Sequence, residues 1–146
     1  LERYAKNGDE VLDIGCGSGI LSIATLLLGA KHALGVDIDS LAVKTAKENA
    51  KQNGFAEDRF TAVQGNLSDK VSGKFDIVVA NIVADIIMEF NTEVGKFLKD
   101  DGVYITGGII ENREDEVLYS FNQNGFKVIE RHENNGWLVF VLKKTL

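Results

Sequence analysis

The chain has 146 residues, 45% of them hydrophobic, a single cysteine and a formal net charge of −6. That length suits one domain with a full core, no apolar run approaches the roughly 18 residues needed to span a bilayer, and "LERYAKNGDE" lacks the apolar centre of a signal peptide. The acidic balance argues against direct binding to a phosphate backbone, which clustered Lys and Arg would drive, and the lone cysteine permits no internal disulfide and fits a reducing cytosol.

Proline is absent while glycine occurs 15 times, so chain breaks fall to Gly, Asn and Asp. "EVLDIG" is a short apolar run that predicts a first strand, and "GILSIATLLLGA" carries Ile20, Ile23, Ala24, Leu27 and Leu28 at helical spacing before a stop at Gly29. "HALGVDID" predicts a second strand, after which Asp39 or Ser40 caps a helix from Leu41 to Asn53 that ends at Gly54. Within it Lys44, Lys47 and Lys51 share helical spacing and read as a solvated face. "RFTAVQG" and "KFDIVVAN" predict the third and fourth strands, "ADIIMEFNTEVGKFLKD" a helix over 84–100, and "GVYITGGII" a fifth strand. A charged helix follows from Glu111 to Gln123, its "ENREDEV" start suiting the positive helix end. "FKVIERHE" and "GWLVFVLKK" alternate as two last strands, and "NNG" between them signals a hairpin. Strands separated by helices imply a parallel sheet covered on both faces. The expected fold is therefore α/β: a doubly wound, mostly parallel seven-stranded sheet with a C-terminal antiparallel hairpin strand, occupying 1–146 as one domain.

In open parallel sheets ligands bind at the carboxyl ends of the strands where the order reverses. "VLDIGCGSGILSIA" stands there, with Gly15, Gly17 and Gly19 between strand and helix and Asp13 just ahead. Glycine lets a ligand approach the main chain without Cβ interference. The dinucleotide fingerprint is G-x-G-x-x-G, whereas here the third glycine comes one residue early and position 20 is isoleucine. Asp37 closes the second strand, where a carboxylate can accept both ribose hydroxyls of an adenosine. The loop and Asp37 together point to an adenosine-containing cofactor.

These residues resemble class I S-adenosylmethionine-dependent methyltransferases: "VLDIGCGSG" and "GVDID" are similar to their first two motifs, with Asp13 in the acidic place. Through "LDIGCGSGILSIA", "GVDIDSLAVKTAKENAKQNG" and "FDIVVANIVADII", nearly the whole chain resembles the PrmA family, whose members methylate amino groups of protein eleven of the large ribosomal subunit. The resemblance implies S-adenosylmethionine as cofactor, held by Asp13, Gly15, Gly17, Gly19, Asp37, Asn66 and Asn81. By it, Gly15 lies against the methionine end, Asp37 holds the ribose and Asn66 meets the adenine. Asn81 carries the chemistry by accepting a hydrogen bond from the target amine, a lysine side chain or an N-terminal amine. Related amino-methylating enzymes usually follow this Asn or Asp with two prolines and an aromatic. "NIVA" departs from that pattern and speaks against a planar base or a glutamine amide as target. The resemblance further implies a cytoplasmic enzyme whose partner is a large-subunit ribosomal protein, and a catalytic domain expected to follow a separate amino-terminal recognition domain.

Alternatives from other classes remain at the level of sequence. A methyltransferase acting on a small molecule or RNA, or a non-catalytic methyltransferase-like module, would share most of these residues. A nicotinamide-dependent oxidoreductase would want the third glycine one position later and a Tyr-Lys proton donor on a helix. Cys16 reads as a small structural residue, and His32 and His132 lack any ligand spacing that would suggest a metal. Trp137 reads as core or sheet-edge packing, or else as a wall of the substrate pocket. Gly107 and Gly108 read either as a bulge or as a close approach to the substrate channel.

Overall fold

The computed structural model describes residues 3–145. Its elements run β1 (Glu10–Ile14), α1 (Ile20–Leu27), β2 (His32–Asp37), α2 (Ser40–Gln52), β3 (Phe60–Gln64), β4 (Phe75–Asn81), α3 (Ala84–Asn91), β5 (Leu98–Ile110), α4 (Glu114–Gln123), β6 (Phe126–Asn134) and β7 (Trp137–Lys144). One sheet holds all seven strands in the order β3-β2-β1-β4-β5-β7-β6. The pairs from β3 to β5 are parallel, and β7 alone runs antiparallel, between β5 and β6. This is the expected doubly wound sheet. The order reverses between β1 and β4, so the carboxyl ends of these two strands frame the crevice where such sheets bind ligands.

Alternate strand residues feed two cores. Val11, Ile77 and Val79 pack with Ile23 and Leu26 of α1 and with Val43 and Ala46 of α2 on one face. On the other, Leu12, Ile14, Val78 and Tyr104 pack with Ile87 and Phe90 of α3 and Phe121 of α4. Strands buried on both faces explain the near-continuous apolar runs of β1 and β4. Local signals act as read from the sequence at two turns. Asp39 caps α2, its Oδ1 accepting from the Leu41 N–H at 2.9 Å. The hairpin turns through Asn135 and Gly136, both at positive φ, as a two-residue type I′ connection demands.

Two helices are shorter than the sequence predicts. The apolar spacing of 84–100 continues past Asn91, yet α3 ends there and only a single 3₁₀ turn, Val94–Lys96, separates it from β5. Asn91 faces inward: its amide donates to Ser120 Oγ (2.9 Å) and its oxygen accepts from the buried Tyr104 hydroxyl (2.8 Å). Thr92 Oγ1 donates back to the Glu89 carbonyl (2.8 Å), a local bond that competes with continued helix. Leu98 then pairs with Phe75 at the start of β5. The second correction is at α4, which begins at Glu114 because 111–113 form a 3₁₀ turn.

Thr106 on β5 is fully buried, and its hydroxyl has no partner among the described residues. An unpaired buried hydroxyl lowers stability, so Thr106→Val is expected to raise stability by about 1 kcal/mol and the thermal midpoint by a few degrees. Calorimetric melting checks this; a lower midpoint would mean that the hydroxyl holds a bound water.

Candidate functional site

A cleft of about 470 Å³ opens at the switch point of the sheet, within the size range of small-molecule sites. Ile14, Gly15 and Val36 form its base, Asp37 and Ile38 one side, and Asn81, Ile82, Val83 and Ile86 the other. Gly65, Asn66 and Leu67, after β3, close the far end. The topology therefore brings together Gly15, Asp37, Asn66 and Asn81. Asp13, Gly17 and Gly19 do not line the cleft.

Each of those three has a different task. Gly17 donates its N–H to Asp37 Oδ2 at 2.9 Å, which ties the glycine loop to the end of β2. Gly19 is buried at the start of α1, where a Cβ would come within 3.1 Å of Ala46 Cβ, so its missing side chain serves α1–α2 packing. Asp13 is 1% exposed and accepts from Ser22 Oγ at 2.7 Å, while its Oδ1 has no partner among the described residues. Gly15 is where the cleft itself requires glycine: φ is +71°, and a Cβ would lie 2.5 Å from Ile82 Cγ2 and fill the gap between loop and opposite wall.

The loop spends its donors inside the protein. Gly15 and Cys16 both donate to the Val36 carbonyl (2.7 and 3.0 Å), Gly19 donates to the Cys16 carbonyl (2.9 Å), and Gly17 is held by Asp37. A dinucleotide loop instead aims such N–H groups at a pyrophosphate. Asp37 is half-buried, and its Oδ1 also accepts the Asp39 N–H at 2.9 Å. Each of its oxygens keeps a second acceptor position. Ile38 (68% exposed) and Val83 (61% exposed) stand on opposite sides as apolar lips. Asn66 is exposed, and the turn that carries it is closed by Asp69 Oδ1, which accepts the Asn66 N–H at 3.0 Å.

Asn81 ends β4 with its side chain against β5. A Cβ on either Gly107 or Gly108 would lie 3.0 Å from Asn81 Oδ1. The pairing of β5 with β7 also slips between Thr106 and Ile109, so the two glycines both make a bulge and leave room for the Asn81 amide. Trp137 departs from the core expectation: it is 53% exposed, pairs with Ile110 at the end of β5 and lies outside the cleft lining. Cys16 is buried beside Gly35, and burial, with the charges of Asp13 and Asp37, pushes its thiol up to about 12. It packs and does not ionise.

Burial raises the Asp13 carboxyl from 3.8 to about 6, opposed in part by its Ser22 hydrogen bonds. The folded state thus binds a proton that the unfolded chain has released between about pH 4 and 6, and stability falls as pH rises through that window. The ionised group costs on the order of 3 kcal/mol above it. Asp13→Asn is expected to remove this dependence and to raise the melting temperature at pH 7.5. Melting curves from pH 4.5 to 7.5 check it, and a variant that keeps the wild-type slope would show that another group is responsible.

A β3-β2-β1-β4-β5-β7-β6 sheet with one antiparallel strand, a tight glycine loop after β1 and a carboxylate ending β2 defines the class I methyltransferase fold. A solved TehB-like SAM-dependent methyltransferase from Corynebacterium glutamicum shares that fold with a TM-score of 0.78 at 21% identity, covering 98% of this chain and 84% of the other. The family described as ribosomal protein L11 methyltransferase (PrmA) matches residues 1–145, and the chain belongs to it. A relative from Dictyoglomus thermophilum is 50% identical over 98% of this chain and 46% of its own length; one from Caldicellulosiruptor bescii is 46% identical over 100% and 47%. Both are named ribosomal protein L11 methyltransferase, and the chain spans about half the length of each. The crystal structure of a ribosomal protein L11 methylase from Lactobacillus delbrueckii subsp. bulgaricus superimposes with a TM-score of 0.95 at 32% identity, over 99% of this chain and 74% of that one.

Sequence reasoning missed the apolar part of the cleft. Ile38, Leu67, Ile82, Val83 and Ile86 read as strand ends and helix starts, because an apolar residue bound for a ligand has the same signature as one bound for the core. Leu67 carries one further mark that only coordinates give: a φ of 54°, a left-handed conformation uncommon outside glycine and found at functional sites.

Proposed function

We propose that this chain is the methyl-transfer domain of a cytoplasmic S-adenosylmethionine-dependent enzyme that methylates an amine of ribosomal protein L11. The observation that carries the cofactor is the internal use of the loop N–H groups at 15, 16, 17 and 19. A loop so tied offers a close-fitting backbone and no nest for a phosphate, which suits an adenosine whose ribose continues into an uncharged thioether or a sulfonium. The residues present fit that group. Asp37 would take the ribose hydroxyls, Ile38 and Val83 would flank the purine, Asn66 would meet its edge, and the space kept open by Gly15 would take the amino-acid end.

When bound, the cofactor supplies an electrophilic sulfonium methyl. The protein must present a neutral amine with its lone pair aimed at that carbon, so positioning is the main contribution. Asn81 would accept an N–H of that amine through an uncharged carbonyl, which orients it without favouring the ammonium form. The neighbouring apolar side chains Ile82, Val83 and Ile86 would disfavour the charged form of a lysine, whose unperturbed pKa is about 10.4. The acceptor assignment is supported by family membership and by the curated relatives' names. Among the described residues no helix is long and apolar enough to cross a membrane.

Calorimetric titration with S-adenosylhomocysteine and, separately, NAD tests the cofactor. Binding of the first alone is expected; NAD binding would overturn the reading. Mass spectrometry of L11 and of ribosomal RNA after incubation with the donor then tests the acceptor, with new methyl groups expected on the protein and not on the RNA.

A further inference from the structure

The turn that presents Asn81 contains no proline to stiffen it. Ile82 and Val83 follow β4 directly, and α3 starts at Ala84 with Val83 as an N-cap that offers no side-chain acceptor. Something outside the turn must fix it. From below, β5 approaches at Gly108, where a Cβ would lie 3.0 Å from the Ile82 carbonyl oxygen. From the side, Asp85 in the first turn of α3 accepts from Arg113 Nη2 at 2.6 Å. The same guanidinium donates from Nε (2.9 Å) and Nη2 (2.6 Å) to Glu116 Oε2 in the first turn of α4.

Arg113 therefore joins two helix starts, those that follow β4 and β5. The 3₁₀ turn it stands on, Glu111–Arg113, is itself anchored, because Glu111 donates its N–H to the Gly136 carbonyl in the β6–β7 turn. An exposed pair between two flexible side chains contributes little. Arg113 differs in bridging carboxylates from two separate elements, Asp85 (71% exposed) and Glu116 (57% exposed), so the restraint comes from this two-element geometry and not from burial, and it lets the side chain act as a strut. We infer that Arg113 is a positioning residue: through Asp85 it fixes the Asn81–Val83 turn, and with it the acceptor amide and one wall of the cleft. The consequence for turnover rests on the proposed methyl transfer, whereas the mechanical part does not.

Arg113→Met keeps the aliphatic stem and removes the strut. The Ile86 and Ile87 N–H groups both donate to the Val83 carbonyl, so their hydrogen exchange reports on the turn; Ala46 in α2 serves as an internal reference. Exchange at Ile86 and Ile87 is expected to rise roughly fivefold with Ala46 unchanged. The kcat for methyl transfer is expected to fall about tenfold, with a smaller loss of S-adenosylhomocysteine affinity. Asp85→Asn should reproduce both effects, the double variant should add nothing to either single, and Arg113→Lys should recover part of the loss. A uniform rise in exchange, no rise at all, or additive effects of the two substitutions would overturn the inference. A full-length enzyme carrying this wild-type domain that neither binds S-adenosylhomocysteine nor transfers methyl would instead overturn the proposed function, and the exchange rates would still decide the strut.

Discussion

Asp37→Ala is expected to weaken S-adenosylhomocysteine binding by about 100-fold or more, the combined loss of the proposed charge-assisted acceptor for two hydroxyls and of an observed loop tether. Asp37 does two things at once. Its Oδ2 accepts the Gly17 N–H and its Oδ1 the Asp39 N–H, both at 2.9 Å, so the group that would grip the ribose also fixes the loop the ligand lies against. Alanine leaves the Gly17 N–H without an acceptor and lets the loop move from β2. Asp37→Asn separates the two roles, since the amide oxygen can replace one acceptor while the NH₂ faces a donor. Its affinity should fall between wild type and alanine. Calorimetry of the three chains decides, and wild-type affinity in Asp37→Ala would remove the carboxylate from the site altogether. Because the tether exists without ligand, the alanine variant should also melt at lower temperature in ligand-free buffer.

That dual role marks the boundary of what the sequence discloses. Position 37 is legible as a carboxylate closing a strand beside a glycine loop, and a doubly wound, mostly parallel sheet follows from the alternation of strands and helices, whereas the strand order comes from the structure. What a hydrogen bond does is not legible. Gly15, Gly17 and Gly19 look equivalent in G-x-G-x-G, yet one keeps the cleft open, one is tied to Asp37 and one lets α1 approach α2. The distinction depends on what lies across from each, which only tertiary structure supplies. The helix expected over 84–100 fails for a similar reason. Its apolar period is real, but the partners of Asn91, the buried Tyr104 and the half-buried Ser120, stop the helix from a distance of 13 and 29 residues along the chain. Trp137 shows the limit in another way, since its place in an alternating strand leaves core, sheet-edge and pocket-wall roles open, whereas here it stands half exposed on β7 beside Ile110 and outside the cleft lining.

Asn81→Ala is expected to lower kcat about 100- to 1000-fold while donor affinity falls only a few-fold, because the contribution proposed for the amide is to orient the acceptor. The placement of Asn81 against Gly107 and Gly108 sharpens this. Alanine at either glycine would put a Cβ 3.0 Å from Asn81 Oδ1, so Gly107→Ala should displace the amide and lower kcat with Asn81 itself intact. Asn81→Asp tests the electrostatic half of the argument. A carboxylate can still accept the N–H, but a negative charge favours the ammonium form and raises the pKa of the target amine. The fraction of reactive neutral amine at pH 7 falls, and the pH–rate profile should move to higher pH, with turnover recovering in alkali where Asn81→Ala does not. Steady-state kinetics across pH 7 to 10 separate the cases. Wild-type kcat in Asn81→Ala would remove this residue from the chemistry, and an unshifted profile in Asn81→Asp would mean that the acceptor nitrogen never sits beside it.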